Sequence, residues 1–192
     1  MKIKIGILLS FTLFACSLFA QEKVENEKIE KHLATYGKID FGFSGLSLTF
    51  DTPLSEKILL ELGAGLGAGY QIDEDYRYRL YFDDPAFFAS LHGKYYYKQK
   101  RVFDGDKNVS FNSGNFFGIK VKYTSRTLRN DKLWHTVLTG FHWGLQRKLG
   151  KHFLYQINLG IGAAFDVDSK TTTHMTLYPD ANFRFSYVLP FH

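Results

Sequence analysis

The sequence predicts an all-β protein, an antiparallel up-and-down transmembrane β-barrel of eight strands. Several segments alternate apolar and polar residues, and a period of two places successive side chains on opposite faces of a strand. An apolar N-terminal segment has the form of an export signal. After residue 20 no segment is long and apolar enough for a membrane helix, so crossing a bilayer would require a closed barrel with every backbone group paired.

The N-terminus predicts a cleaved signal peptide over residues 1–20. Two lysines in the first four residues precede an uncharged apolar stretch, residues 5–15, and Ser17-Leu18-Phe19-Ala20 has the form of a cleavage site. Residues 13–16 loosely resemble a lipoprotein cleavage box, which leaves lipidation of Cys16 as the alternative. Residues 21–34 form a charged leader before the barrel domain, which we place at residues 35–191.

Composition excludes several classes of protein. The chain has 24 basic and 19 acidic residues, and two of the lysines lie in the predicted signal. The remaining chain is therefore only mildly basic, which does not indicate a nucleic-acid partner. The only cysteine also lies in the signal, so the exported chain is expected to have no disulfides.

The clearest strand runs from Ile58 to Ile72. Its even positions are apolar, and its odd positions are glycine or polar apart from Leu59. Because the glycines keep this strict alternation, they are not a phosphate-binding loop, which would end a strand and open a helix. The same alternation predicts five further strands within residues 87–98, 117–124, 136–146, 153–167 and 181–191.

The first part of the sheet is ambiguous because its alternation changes phase. Ile39 and Phe41 are apolar at odd positions, whereas Leu46 and Leu48 are apolar at even positions. A β-bulge at Ser44-Gly45 would give seven strands, and a two-residue hairpin turn there would give eight. Bacterial membrane barrels have an even number of strands, which favours the turn.

The connections between strands are expected to alternate between the two barrel ends. Asp73 to Pro85, which contains an alternating Tyr/Arg-rich segment, would face outside and prolong the neighbouring strands. Arg101 to Asn112 would face the periplasm. Outer loops are usually the longer ones, so this second connection is unusually long for its side.

The apolar faces are expected to contact lipid, because the polar faces carry many glycines and few charges, and large aromatic residues lie near strand ends. A soluble lipocalin-like barrel, apolar inside, is the alternative. With the export signal, these strands resemble the small outer-membrane β-barrel family of Gram-negative bacteria. In this resemblance Phe185, Tyr187, Leu189 and Phe191 form the C-terminal assembly signal.

That resemblance implies a location in the outer membrane and a monomeric barrel. It also implies contacts with outer-membrane lipid, with lipopolysaccharide and with the barrel-assembly machinery. The match is one of pattern and contains no unique motif, so it implies fold and location more directly than activity.

On this interpretation the interior receives a set of charged side chains. An eight-stranded barrel is just wide enough for side chains to fill, so we expect paired charges that plug the lumen and give the protein a structural or surface-interaction role. A narrow, anion-favouring channel for small solutes is the alternative. The lumen residues are predicted to be Glu61, His92, Lys94, Lys98, Lys120, Lys122, His142, Asp166 and Arg184.

Catalysis is not expected. A lipid-modifying barrel enzyme would need a serine, a histidine and an acid at the lipid face or the rim. Ser90 and His92 share a face and Asp166 or Glu61 could supply the acid, but the face points inward and no G-x-S-x-G motif is present. The remaining histidines have no metal-site spacing, so we expect no metal and no cofactor.

Overall fold

The computed structural model is a closed barrel of eight antiparallel strands. It describes residues 33–72, 78–99, 111–127, 135–167 and 175–189. Within these ranges no helix is long and apolar enough to cross a membrane. The strands are β1 (Tyr36–Gly42), β2 (Gly45–Pro53), β3 (Ile58–Ile72), β4 (Tyr78–Gln99), β5 (Gly114–Thr127), β6 (Thr136–Leu149), β7 (Phe153–Asp166) and β8 (Met175–Val188).

Each strand pairs with its sequence neighbours, and β8 pairs with β1 to close the barrel. The prediction of eight up-and-down strands is therefore confirmed. The end at which β1 begins and β8 finishes is called the terminal end below. The β2–β3, β4–β5 and β6–β7 connections lie at the same end, as the order of an up-and-down barrel requires.

The phase change in the first sheet region is a hairpin turn. Gly42 pairs with Gly45, so the two turn residues are Phe43 and Ser44, one position earlier than predicted. Gly45 has a φ of 106°, and a Cβ there would overlap the carbonyl oxygen of Leu66. The backbone thus requires glycine as the first residue of β2, because other residues rarely adopt this φ.

Two strands, β4 and β8, begin well before the segments whose alternation predicted them. β4 begins at Tyr78 and pairs with the end of β3, as expected for the alternating segment within Asp73 to Pro85, with a register shift between Ala68 and Gly69. β8 begins at Met175 rather than at residue 181. Pro179 interrupts the sequence signal for a strand there, although it stays in register opposite Ile161.

The two faces of the wall have opposite polarity. Leu48, Ile119, Ile161 and Leu177 are among many large apolar side chains on the outer face that are more than half exposed. The inward positions of the same strands carry buried lysines, carboxylates, histidines and amides. Along the described strands, buried polar side chains therefore fill the interior, and large apolar side chains dominate the outer surface.

An apolar layer covers the interior at the terminal end. Leu33, before β1, packs with Leu59, Tyr96 and Phe116, and a second cluster contains Tyr36, Leu154 and Val188. The side chain of Asn112 holds the backbone of Ala34. Asn112 Oδ1 accepts from the Ala34 N–H at 2.7 Å, and Asn112 Nδ2 donates to the Ala34 carbonyl at 2.9 Å. Chain segments before β1 and before β5 thus meet over this layer.

Candidate functional site

Glu61 lies at the centre of the buried charges in the barrel. It projects inward from β3 because the apolar even positions of that strand face outward. Its Oε2 is 2.7 Å from Nζ of Lys38 on β1 and 2.7 Å from Nζ of Lys94 on β4. Arg184, on β8, donates to both carboxylate oxygens. One carboxylate thus joins three cations that come from three other strands.

The cations around Glu61 have further partners. Lys38 also contacts Asp51 at 2.8 Å, and Arg184 contacts Asp40 at 3.0 Å. Lys94 donates to the side-chain oxygens of two glutamines, Gln146 at 3.2 Å and Gln156 at 2.9 Å. Removing a charge from water is costly unless it is both paired and hydrogen-bonded. These contacts meet that condition.

A second carboxylate, Asp180 on β8, anchors another cluster. Its Oδ1 is 3.1 Å from Nζ of Lys120, and its Oδ2 is 2.8 Å from Nδ1 of His142. His142 Nε2 lies 2.9 Å from Nε2 of His92, and His92 Nδ1 lies 3.6 Å from Glu61. The two imidazoles therefore connect the Glu61 and Asp180 clusters through the middle of the barrel.

Glycines on the inner face make space for these side chains. An ideal Cβ on Gly118 would lie 2.5 Å from Nε2 of both His92 and His142, and one on Gly144 would overlap the ring of Phe116. A Cβ on Gly140 would overlap the carboxylate of Asp180. These three glycines thus lie where large interior side chains pack against the wall.

Seven of the nine predicted lumen residues face inward and are buried or half-buried: Glu61, His92, Lys94, Lys120, Lys122, His142 and Arg184. Lys122 lies with its Nζ 4.0 Å above the ring of Phe88.

The prediction for Lys98 is wrong, because the structure leaves this residue exposed. The pairing of β4 with β5 shifts register between Tyr96 and Lys98, so the alternation that placed Lys98 inside does not continue to the strand end. The backbone of Asp166 pairs with Thr136, but its side chain lies outside the described part of the chain.

The predicted assembly signal lies only partly within the described residues. Phe185 and Tyr187 are partly exposed on the outer face of β8, 43% and 37% accessible. β8 ends at Val188, and the Leu189 N–H then donates to the Gly37 carbonyl at 2.9 Å. Phe191 lies outside the described residues.

Sequence reasoning missed four charged members of the interior. Lys38 and Asp40 have the opposite parity to Ile39 and Phe41, so the alternation of β1 was the signal that could have found them. Asp51 continues the inward parity of β2 by one step beyond the predicted apolar pattern. Asp180 was missed because the predicted last strand began after it.

The described interior contains a small polar cavity. This cavity of about 30 Å³ lies between Glu61, Lys120, Lys122 and Arg184, and reaches Ser44 in the β1–β2 turn. This volume holds about one or two water molecules. Ser90 and His92, the pair considered above for catalysis, have different surroundings. His92 contacts His142 and Glu61, whereas Ser90 lines the cavity. Among the described residues no group of three or more His, Cys, Asp or Glu side chains is arranged to hold a metal.

The fold and this interior define a closed eight-stranded antiparallel barrel with ion-paired side chains inside and apolar side chains outside. Comparisons of the chain with protein-family models, with curated proteins and with solved structures found no match.

Proposed function

We propose that this chain is an integral outer-membrane β-barrel with a closed interior and a structural or surface-interaction role. The observation that carries the proposal is the polarity of the wall. Leu177 is 72% exposed on the outside, whereas Lys38 and Asp51 are completely buried inside. A barrel that is soluble in water has the reverse arrangement, and a membrane barrel has this one.

The extent of the apolar surface supports the same proposal. Exposed large apolar residues occur on all eight strands and so surround the barrel, whereas soluble monomers rarely expose large contiguous apolar patches. Strands of 14 or 15 residues, such as β3 and β7, exceed the length needed to cross a bilayer at a tilt. The hydrocarbon core of a membrane would shield this apolar surface from water.

Aromatic residues near both ends of the wall provide further support. Tyr97, near the terminal end of β4, accepts a hydrogen bond from Trp143 Nε1 at 2.6 Å, and Phe153 packs against Tyr187 at the same end of the barrel. At the opposite end, the Tyr123 hydroxyl lies 2.7 Å from His135 Nδ1. Amphipathic aromatic groups of this kind favour the two membrane–water interfaces.

The charge pairs and the apolar layer at the terminal end favour a barrel that does not conduct. Lys38, Lys94 and Arg184 all converge on Glu61, so a permeating ion would have to separate buried partners. A non-enzymatic role is part of the proposal, because His92 is engaged by His142 and not by a nucleophile. Outer-membrane lipid, lipopolysaccharide and the barrel-assembly machinery are the partners that this role requires.

A narrow anion-favouring channel is the second candidate. It is favoured by three cations, Lys120, Lys122 and Arg184, that border the interior cavity. Planar-bilayer recording from the purified protein distinguishes the two candidates. We expect no steady channel steps, and reproducible anion-selective steps would replace the closed-barrel proposal with the channel.

Membrane insertion is tested with the full chain expressed with its own N-terminus. We expect the protein in the outer-membrane fraction, cleaved after Ala20 and extracted only by detergent. Folded protein should also migrate differently from boiled protein on a gel. A folded protein that stays soluble without detergent would contradict the membrane proposal and favour a soluble ligand-binding barrel.

A further inference from the structure

The β1–β2 hairpin is shorter than the strands beside it. β1 pairs with β8 only as far as Gly42, opposite Arg184, followed by one bond from the Phe43 N–H to the Phe183 carbonyl at 3.1 Å. β2 pairs with β3 only as far as Leu66. Within the described ranges, residues 67–72 of β3 and 175–182 of β8 therefore have one strand neighbour each.

Among the described residues, these two strand edges border a gap in the wall above the hairpin turn, which we call the side notch. Gly67 lies against the backbone of Ser44 and Gly45, so the gap extends along residues 68–72 of β3, about 17 Å at the usual rise of a strand. Its floor is the turn itself, where the Ser44 hydroxyl donates to the Asn182 side-chain oxygen at 3.2 Å. The side notch thus begins at the level of the polar cavity described above.

The edge of β8 is unsuited to pairing with another strand. The Phe183 carbonyl faces β1, since it accepts from Phe43. Backbone groups alternate in direction along a strand, and β7 and β8 pair without a register shift, so Pro179 has its nitrogen on the same side. Proline has no N–H to donate, and proline on an edge discourages strand addition. The notch is therefore not built to accept a β-strand.

The cavity behind the floor has the chemistry of an anion site. Lys120 and Lys122 border it from β5 and Arg184 from β8, against the carboxylates of Asp40 and Glu61. The lining thus carries one positive charge more than negative. Arg184 Nε is buried and has no partner among the described residues. Asp40 Oδ1, also without one, requires a donor such as a water molecule that enters with the ligand.

The outer rim of the side notch is apolar. Phe43 in the turn is 67% exposed, and Leu46, Leu66 and Leu177 on the flanking strands are 40% to 72% exposed. A ligand that reached the cavity through the side notch would therefore contact apolar side chains outside and cations inside. This combination matches an amphiphile with a small anionic headgroup.

We propose that the side notch admits a fatty acid from the membrane, with its carboxylate in the cavity against Lys120, Lys122 and Arg184 and its chain along the apolar rim. The cavity of about 30 Å³ suits a carboxylate and is too small for a glycerol phosphodiester. This inference rests on the proposed membrane location. It adds a ligand class to a barrel whose interior is otherwise closed.

The test uses full-length protein in phosphatidylcholine vesicles and a palmitate analogue with a diazirine in the middle of its chain. After photolysis, peptide mapping by mass spectrometry should locate the label on the rim, at or near Phe43, Leu46, Leu66 and Leu177. The methyl ester of the same analogue should label the outer wall without preference for the rim. A phosphatidylcholine carrying the diazirine should also show no preference.

Variants test the cavity. Lys122→Met should lower labelling of the rim by roughly tenfold, the loss expected for one charge-assisted contact. Ser44→Leu, which obstructs the floor without changing charge, should lower it similarly. Lys151→Met, at an exposed turn at the terminal end, is the matched control and should label as the wild type does.

Each variant is first checked for the gel shift of a folded barrel. Labelling that is even around the wall, equal for the phosphatidylcholine probe, or unchanged in both Lys122→Met and Ser44→Leu would overturn the fatty-acid proposal. If the protein inserts normally but shows one of these labelling results, only the fatty-acid proposal fails and the membrane proposal stands. Failure to insert in vesicles would instead contradict the membrane proposal itself.

Discussion

The Nε2 atoms of His92 and His142 lie 2.9 Å apart inside the barrel. Two nitrogen lone pairs do not approach this closely without a hydrogen between them. His142 Nδ1 lies 2.8 Å from the Asp180 carboxylate, which is also paired with Lys120 and therefore accepts. In the neutral pair, His142 then carries its hydrogen on Nδ1 and His92 carries its hydrogen on Nε2. The 3.6 Å from His92 Nδ1 to Glu61 is too long for a hydrogen bond, which fits this assignment.

This assignment predicts a measurable hydrogen bond between the two rings. In protein labelled with ¹⁵N at histidine, we expect a trans-hydrogen-bond coupling between the two Nε2 nuclei. His142 should show a protonated Nδ1 and His92 a protonated Nε2. The coupling should vanish in His142→Gln, with the other histidine signals retained as the control. Protonation of Nε2 on both rings in the wild type would contradict the geometry.

Gly118 is expected to tolerate no side chain. An added Cβ would lie 2.5 Å from both Nε2 atoms, so Gly118→Ala should separate the imidazoles and destabilise the barrel by about 1–3 kcal/mol. Gly93→Ala is the matched control, since its Cβ would meet only the Ile119 carbonyl at 4.0 Å. Unfolding by urea in detergent or lipid measures both. Equal stability of the two variants would show that the interior side chains can move to accommodate a Cβ at Gly118.

Glu61 should be the most sensitive interior carboxylate. Glu61→Gln leaves Lys38, Lys94 and Arg184 around a neutral amide, and removing one partner of a buried ion pair costs about 3–5 kcal/mol. Glu56→Gln in the exposed β2–β3 turn is the control and should change stability by about 0.5 kcal/mol or less. Thermal unfolding followed by the gel shift measures the difference. A loss of similar size in both variants would mean that Glu61 contributes little as a charge.

The outer wall should respond to charge according to depth. Leu159 lies near the middle of β7 and is 54% exposed, so in a bilayer Leu159→Arg should cost about 2–4 kcal/mol. Leu149 lies at the end of β6 and is 51% exposed, so Leu149→Arg should lower the free energy of unfolding by only about 0–1 kcal/mol. Reversible folding into phospholipid vesicles measures both. An equal, small effect at the two positions would argue against a lipid-facing wall.

Strand number and orientation were largely predictable because a period of two is a local property of the sequence. Glu61, His92 and Lys94 could be placed inside from the apolar residues beside them. Their partners could not be predicted in this way. Which cation meets Glu61 depends on register and closure around the barrel, as the contact with Arg184 on the last strand illustrates. Local irregularities, such as the shift before Lys98, also change a side chain's direction without any sequence signal that we could identify.

The meeting of β1, β3 and β8 at Glu61 has a consequence for the order of assembly. Asp40 and Glu61 are synthesised early, but Arg184, which contacts both, is in the final strand. A chain that has formed every strand except β8 therefore lacks the guanidinium group that both carboxylates contact, although Lys38 and Lys94 can already pair with Glu61. Seating the last strand supplies that missing charge. The ion pairs of Arg184 and the pairing of β8 with β1 therefore form in the same step. A truncated or misregistered chain would lack both.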